Sequence, residues 1–156
     1  MKKTIALKFL AGILILFSAN SLAGILTSDI RSGLAEDVLN GFWGNAKDIK
    51  GNPIFPINDQ DRKTFPISAT AIDQTINVGE MSGMAEWCGL DWKPYYKSLT
   101  SYSRKQKMTD KQVAFISVLH GASLQIIVSA MKAKTCEQQD KENVIGLLKK
   151  IEVNWH

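Results

Sequence analysis

Apolar residues recur at intervals of three and four positions in several segments of the chain, which is the spacing of one face of an α-helix. The first segment carries three of them, each four positions apart: Ile30, Leu34 and Val38. Thr27 or Ser28 can cap its start, so the pattern predicts an amphipathic helix over residues 27–39.

Two further helices are predicted in the middle of the chain. One begins after Gly79 and carries an apolar stripe to Cys88, where Gly89 weakens it. The next begins near Pro94, a residue that suits the first turn of a helix, and runs to about Lys107. Its expected inward positions are Tyr95, Leu99 and Tyr102.

Two capping patterns predict the last two helices. Thr109 followed three residues later by Gln112 opens the longest helix, whose stripe continues to Met131, and we expect this helix to be central. Thr135 with Gln138 repeats the pattern. The helix it opens has apolar residues at spacings of four, three and four: Val144, Leu148, Ile151 and Trp155.

Residues 44–79 interrupt the helical pattern with three prolines and a polar cluster at 58–63. A connection this long is either a functional loop or an irregular strap across the helices, and four apolar residues favour the strap: Phe55, Ile57, Phe65 and Ile67. A hairpin around the polar cluster, and a helical turn or strand at 72–78, remain alternatives. The sequence therefore predicts an all-α fold, a small helical bundle of four to five helices with an irregular proline-containing strap and one disulfide.

The first 23 residues have the three parts of a secretory signal: a basic start, an apolar run over 9–17 and small residues before a cut after Ala23. A cut after Ala19 is the alternative. The run is shorter than the roughly 20 residues that cross a bilayer, and we expect no later segment to stop transfer. We therefore predict a cleavable signal peptide at 1–23, a single helical domain at 24–156 without an integral membrane segment, and a bacterial periplasmic or secreted (extracellular) location.

Charge argues against one class of partner. Removing residues 1–23 takes away three lysines and no acidic residue, which leaves 16 basic and 15 acidic side chains, a net charge of +1. Nucleic-acid binding depends on phosphate neutralisation by a positive excess. We therefore expect no nucleic-acid partner.

The chain has two cysteines, Cys88 and Cys136. In an oxidising compartment an even pair usually forms a bond, so we predict a disulfide between them rather than free thiols. The bond also disfavours a catalytic dyad of Cys88 with His120. With two histidines in the whole sequence and no calcium-loop spacing, we expect no metal and no cofactor.

Aromatic and basic residues alternate over 87–111, and such surfaces can bind acidic proteins, glycans or lipid headgroups. The residues of this candidate binding face are Trp87, Trp92, Lys93, Tyr96, Lys97 and Arg104. Core packing of the rings beside a solvated basic face is the alternative. The oligomeric state is left open.

His120 and Ser123 lie three positions apart on one helix, where they can form a buried polar pair, with Gly121 allowing a close helix approach. A hydrolase would need an oxyanion hole and a strained nucleophile turn, which this segment does not offer. We expect no catalytic residue here.

The cysteines are separated by 47 residues, and the second lies in the segment Lys134–Lys141. Over residues 87–145 this arrangement resembles the acid-activated periplasmic chaperones. The resemblance implies a disulfide-stapled helical fold that exposes apolar surface in acid and holds unfolded clients. The chain departs from that family in carrying residues 24–87 ahead of its first cysteine.

Three function classes follow. The motifs favour a protein that acts by binding a protein partner or client rather than by catalysis, as a chaperone, an inhibitor or immunity protein, or a secreted host-directed protein. An accessory subunit of an envelope or secretion machine is the second class. An enzyme of unrecognised type is the third.

Overall fold

The computed structural model describes residues 24–154, so the predicted signal peptide, Trp155 and His156 lie outside the described part of the chain. Within it the secondary structure is helical, as predicted, and a disulfide joins Cys88 to Cys136. Six helices follow one another: α1 Ser28–Phe42, α2 Asp59–Lys63, α3 Ala69–Trp87, α4 Lys93–Lys105, α5 Asp110–Met131 and α6 Gln138–Asn154. Five of them have 13 residues or more, and α2 is a short turn of five residues in place of the alternative hairpin.

Most helix boundaries agree with the predicted caps. The Thr27 hydroxyl accepts a hydrogen bond from the backbone of α1, and Thr109 forms both bonds of a capping box with Gln112 at the start of α5. The start of α6 differs from the prediction. It lies two residues later than a Thr135 cap requires, and there the Asp140 carboxylate accepts from the Glu137 N–H at 3.1 Å.

The helix predicted to begin after Gly79 begins at Ala69, ten residues before that glycine. The hydroxyl of Ser68 caps it by accepting from the Ala71 N–H at 3.2 Å. Ile76 and Val78 are buried within this helix, so the uncertain segment at 72–78 is helical rather than a strand.

Two glycines of α3 allow it to pack closely against α5. A Cβ atom at Gly79 would lie 2.4 Å from the Cβ of Ser123, and one at Gly83 would lie 2.6 Å from the Cβ of Ile127. Both would also meet a backbone carbonyl oxygen of α5 at 2.8 Å, and backbone cannot move aside cheaply. The close approach predicted at Gly121 is wrong, because nothing lies within 4 Å of a Cβ there.

The buried side chains form two clusters. The first joins α1, α3, α4, α5 and the segments that flank α2, with the rings of Phe42 and Phe115 packed edge to face at a centroid distance of 5.3 Å. The second surrounds the disulfide at the end of α3 and includes Val144 and Leu148 of α6. Those two residues confirm the first part of the predicted inward stripe of the last helix, and Ile151 is partly buried.

α5 is also long and apolar enough to cross a membrane by length and composition alone, contrary to the expectation that no segment after the signal would be. The central helix of a soluble fold passes the same test, and α5 packs against α1, α3 and α4. Its inward side carries the fully buried residues Phe115, Ile116 and Leu119.

The disulfide should contribute strongly to stability. Its cysteines are 48 positions apart, and closing a loop of this length lowers the entropy of the unfolded chain by an amount worth about 4 kcal/mol. We expect Cys88→Ser to lower the free energy of unfolding, measured with urea, by several kcal/mol. Cys136→Ser and reduction of the parent protein should each have the same effect, and three unchanged midpoints would contradict this role.

A second prediction concerns the close contact of α3 with α5. Gly83→Ala should lower the free energy of unfolding by about 1–2 kcal/mol, because overpacking outweighs the roughly 1 kcal/mol by which alanine favours a helix. Gly146→Ala in α6 is the matched control, since its Cβ would enter open space, and it should be neutral or stabilising. Equal changes in thermal melting for the two variants would show that the contact tolerates a methyl group.

Candidate functional site

The three aromatic residues of the candidate binding face are only partly exposed, and their polar atoms bond within the protein. The indole N–H of Trp87 donates to the Lys134 carbonyl at 2.8 Å, and that of Trp92 donates to the Glu86 carboxylate. The Tyr96 hydroxyl donates to Ser117 Oγ at 2.8 Å. The three basic residues are exposed: Lys93, Lys97 and Arg104. The rings thus serve local packing, and recognition of a partner by this face stays a prediction.

His120 and Ser123 are both buried, but they are not bonded to each other as a pair. The imidazole Nε2 of His120 lies 2.9 Å from Ser82 Oγ on α3, a residue that sequence reasoning missed. Ser123 instead donates to the Leu119 carbonyl one turn earlier at 2.8 Å, as helical serines commonly do. The partner of His120 therefore comes from another helix.

Two rings of the candidate binding face lie beside this histidine. The centroid of the Tyr96 ring is 4.9 Å from that of His120, and the centroid of Trp92 is 5.7 Å away. Burial lowers the pKa of His120 to about 4, so the imidazole is neutral at pH 7. Sequence spacing gives no signal for this cluster, because its members come from α3, α4 and α5.

A serine hydroxyl bonded to a neutral imidazole is part of what a hydrolase uses, but the setting here does not suit catalysis. Ser82 lies inside α3 and is completely buried, so a substrate cannot reach its oxygen in this conformation. Cys88, the other candidate nucleophile, is held in the disulfide. Over residues 24–154 no group of three His, Cys, Asp or Glu side chains is placed to hold a metal ion.

The segment between α1 and α2 has a defined conformation, and we call residues 44–58 the strap loop. Its two arms are joined by three backbone hydrogen bonds: Gly44 N–H to Ile54 at 2.7 Å, Ile54 N–H to Ala46 at 2.9 Å and Asp48 N–H to Asn52 at 2.9 Å. The Asp48 carboxylate accepts from the backbone of Lys50 and Asn52 at 2.8 Å each, and these bonds, the one from Asn52 above all, lower the pKa of Asp48. Gly51 completes the tip at φ +85°, a conformation that favours glycine.

The end of the strap loop is tied to α5 through Asp61 of α2. The Asp61 carboxylate accepts from Lys111 Nζ at 2.8 Å and from the Ile57 N–H at 3.0 Å. The bond from Lys111 is the main reason that the pKa of Asp61 is lowered. The same ammonium group lies 5.7 Å from the ring centroid of Trp43, whose indole N–H donates to the Arg62 carbonyl at 3.1 Å.

Three large apolar side chains of the strap loop face solvent: Ile49 is 68%, Phe55 66% and Ile57 86% exposed. The predicted packing of the strap holds for Ile67, which is buried, and for Phe65, whose ring lies 6.1 Å from that of Phe115. It is wrong for Phe55 and Ile57. The sequence pattern around these four residues is similar. Which of them pack inward is therefore decided by the folded path of the chain and cannot be predicted from the pattern.

Comparison with known proteins gives no assignment, since no family model, curated protein or solved structure matches the chain. Function must therefore be inferred from the geometry of the chain itself. The exposed apolar residues of the strap loop are open to a partner, whereas the buried cluster at His120 is closed to solvent.

Burial of His120 makes stability depend on pH. Below pH 6.5 the His120 imidazole becomes protonated in the unfolded chain but stays neutral in the folded chain. The free energy of unfolding therefore falls as the pH falls. Between pH 6.5 and 4 the loss should be about 3 kcal/mol. Urea unfolding of the parent and of His120→Gln across this range measures it. The parent should lose more stability than the variant, and equal losses in the two proteins would contradict the burial of a neutral imidazole at this position.

Proposed function

We propose that the protein is exported and acts outside the cytoplasm by binding a protein partner through the strap loop. The observation that carries this proposal is the exposure of Ile49, Phe55 and Ile57 on a loop whose backbone is fixed by hydrogen bonds. The disulfide is compatible with the oxidising compartment to which a signal peptide would lead.

The energetics favour association at these residues. Removing a large apolar side chain from water stabilises a complex by about 1.5–3 kcal/mol when its burial is complete. A loop that is already ordered loses little conformational entropy on binding, so more of that free energy contributes to affinity. The bonds to Asp48 and Asp61 hold the strap loop in this ordered state before any partner arrives.

The surroundings of the apolar residues suit a protein surface as the partner. Lys47, Lys50 and Asp59 are exposed along the same stretch of chain, so apolar anchors alternate with charges of both signs. Protein interfaces commonly combine a few large apolar anchors with a polar rim. An accessory subunit of an envelope machine would use the same residues against one permanent partner.

The proposal predicts that single substitutions in the strap loop weaken binding without unfolding the protein. Full-length protein carrying Phe55→Ser or Ile57→Ser should lose about 10- to 100-fold in affinity for a partner that the parent captures from envelope extract, as expected for an anchor residue. Thermal melting should change little, because both side chains are mostly in water already. Affinity would be measured by titration of the purified partner.

Val118→Ser on α5 and Ile145→Ser on α6 are matched controls, since both side chains are partly exposed apolar groups outside the strap loop. They should bind like the parent. A single stoichiometric partner would favour the accessory or inhibitor role, and many clients would favour a chaperone. Capture that is equally strong for all four variants would rule out the strap loop as the binding site.

A further inference from the structure

A buried carboxylate holds the first described residues of the chain. Glu80 of α3 is completely buried, and its two oxygens accept from the Ile25 N–H at 2.7 Å and the Leu26 N–H at 3.3 Å. Arg31 of α1 donates to the same carboxylate at 3.0 Å. One acidic side chain therefore connects α1, α3 and the segment that leads into α1.

The charges of this cluster do not balance. Arg31 brings one positive charge, and α3 brings two negative ones, Glu80 and the exposed Asp73, whose carboxylate is 3.8 Å from the guanidinium. Arg31 makes further bonds to the Asn77 side-chain oxygen and the Asp73 carbonyl. Burial raises the pKa of Glu80 even though Arg31 and the two amides favour its charged form, so these donors only partly replace water.

Gly24 lies directly against the ion pair. A Cβ atom there would be 2.1 Å from Arg31 Nη1 and 2.8 Å from Glu80 Oε2. A side chain at this position would have to move the ends of the Arg31 and Glu80 side chains that form the ion pair. By bond geometry the nitrogen of Gly24 is about 2.5 Å from that Cβ position, and hence within about 5 Å of the carboxylate.

We propose that cleavage after Ala23 turns this nitrogen into an ammonium group that pairs with Glu80, so that processing adds the missing cation to the buried cluster. The inference rests on the export part of the proposed function and not on the strap loop. With both cations present, two positive charges face two negative ones. The mature amino terminus is then anchored to α3 rather than exposed.

The first step of the test is the mass of the chain recovered after export of the full-length precursor. The exported protein should begin at Gly24. An exported chain that begins at another residue overturns this inference and leaves export intact. An exported chain that keeps Met1 overturns this inference alone, whereas a chain that stays in the cytoplasm with Met1 overturns both this inference and export. The binding predicted for the strap loop is measured independently.

The second step compares the reactivity of the terminal amine. Acetylation of Gly24 by an activated ester, followed by mass spectrometry, should be at least tenfold slower in the native protein than after unfolding in urea. A precursor with one alanine inserted between Ala23 and Gly24 moves the ammonium group by about 3.5 Å, and its amine should react at the unfolded rate. This variant keeps Glu80, so it stays informative if Glu80→Gln fails to fold.

Glu80→Gln, where it folds, should free the amine in the same way, and its circular dichroism checks that the helices are intact. An exposed-carboxylate variant, Asp29→Asn on α1, is the matched control and should leave the amine protected. Equal acetylation rates in the native parent and the insertion variant would overturn the pairing even if the chain begins at Gly24.

Discussion

The close contact of α3 with α5 is the constraint on which the other features depend. Gly79 and Gly83 remove two side chains from one face of α3, and the backbone carbonyls of α5 occupy the space. Between these glycines the chain places Glu80 and Ser82, and both are completely buried. A buried polar group needs a partner, and the fold supplies one for each. Glu80 meets Arg31 and the start of the described chain, and Ser82 meets His120.

The sequence was sufficient to predict the features that depend on neighbouring residues, such as helix caps, helix ends and apolar stripes. The caps at Thr27 and Thr109, the stop at Gly89 and the stripe through Val144 and Leu148 all depend on residues within a few positions of one another. The start of α3 could not be placed in the same way, because a glycine such as Gly79 usually weakens a helix. Gly79 and Gly83 are four positions apart and therefore lie on one face of the helix. This spacing was the available signal for a close helix contact.

Long-range placement could not be predicted from local patterns. Nothing near His120 identifies Ser82 as its partner, because the two are 38 positions apart and meet only when α3 and α5 cross. The strap loop shows the same limit. Phe55 and Phe65 are alike in sequence, yet Phe65, which follows α2, packs on the core, whereas Phe55 at the end of the hydrogen-bonded arms faces solvent.

The two buried clusters separate the roles of the disulfide and the strap loop. The disulfide belongs to the cluster that holds α6 against α3, whereas Ile54 of the strap loop packs on the cluster of α1 and α5. Reduction therefore acts first on the attachment of α6. Protonation of His120 acts where Trp92 and Tyr96 of the α4 region lie beside its ring, and Trp92 also packs on the disulfide cluster. Neither change reaches the strap loop directly, because its conformation depends on Asp48, Asp61 and Lys111. A partner bound there, as proposed, would contact a part of the fold that includes neither the disulfide nor His120.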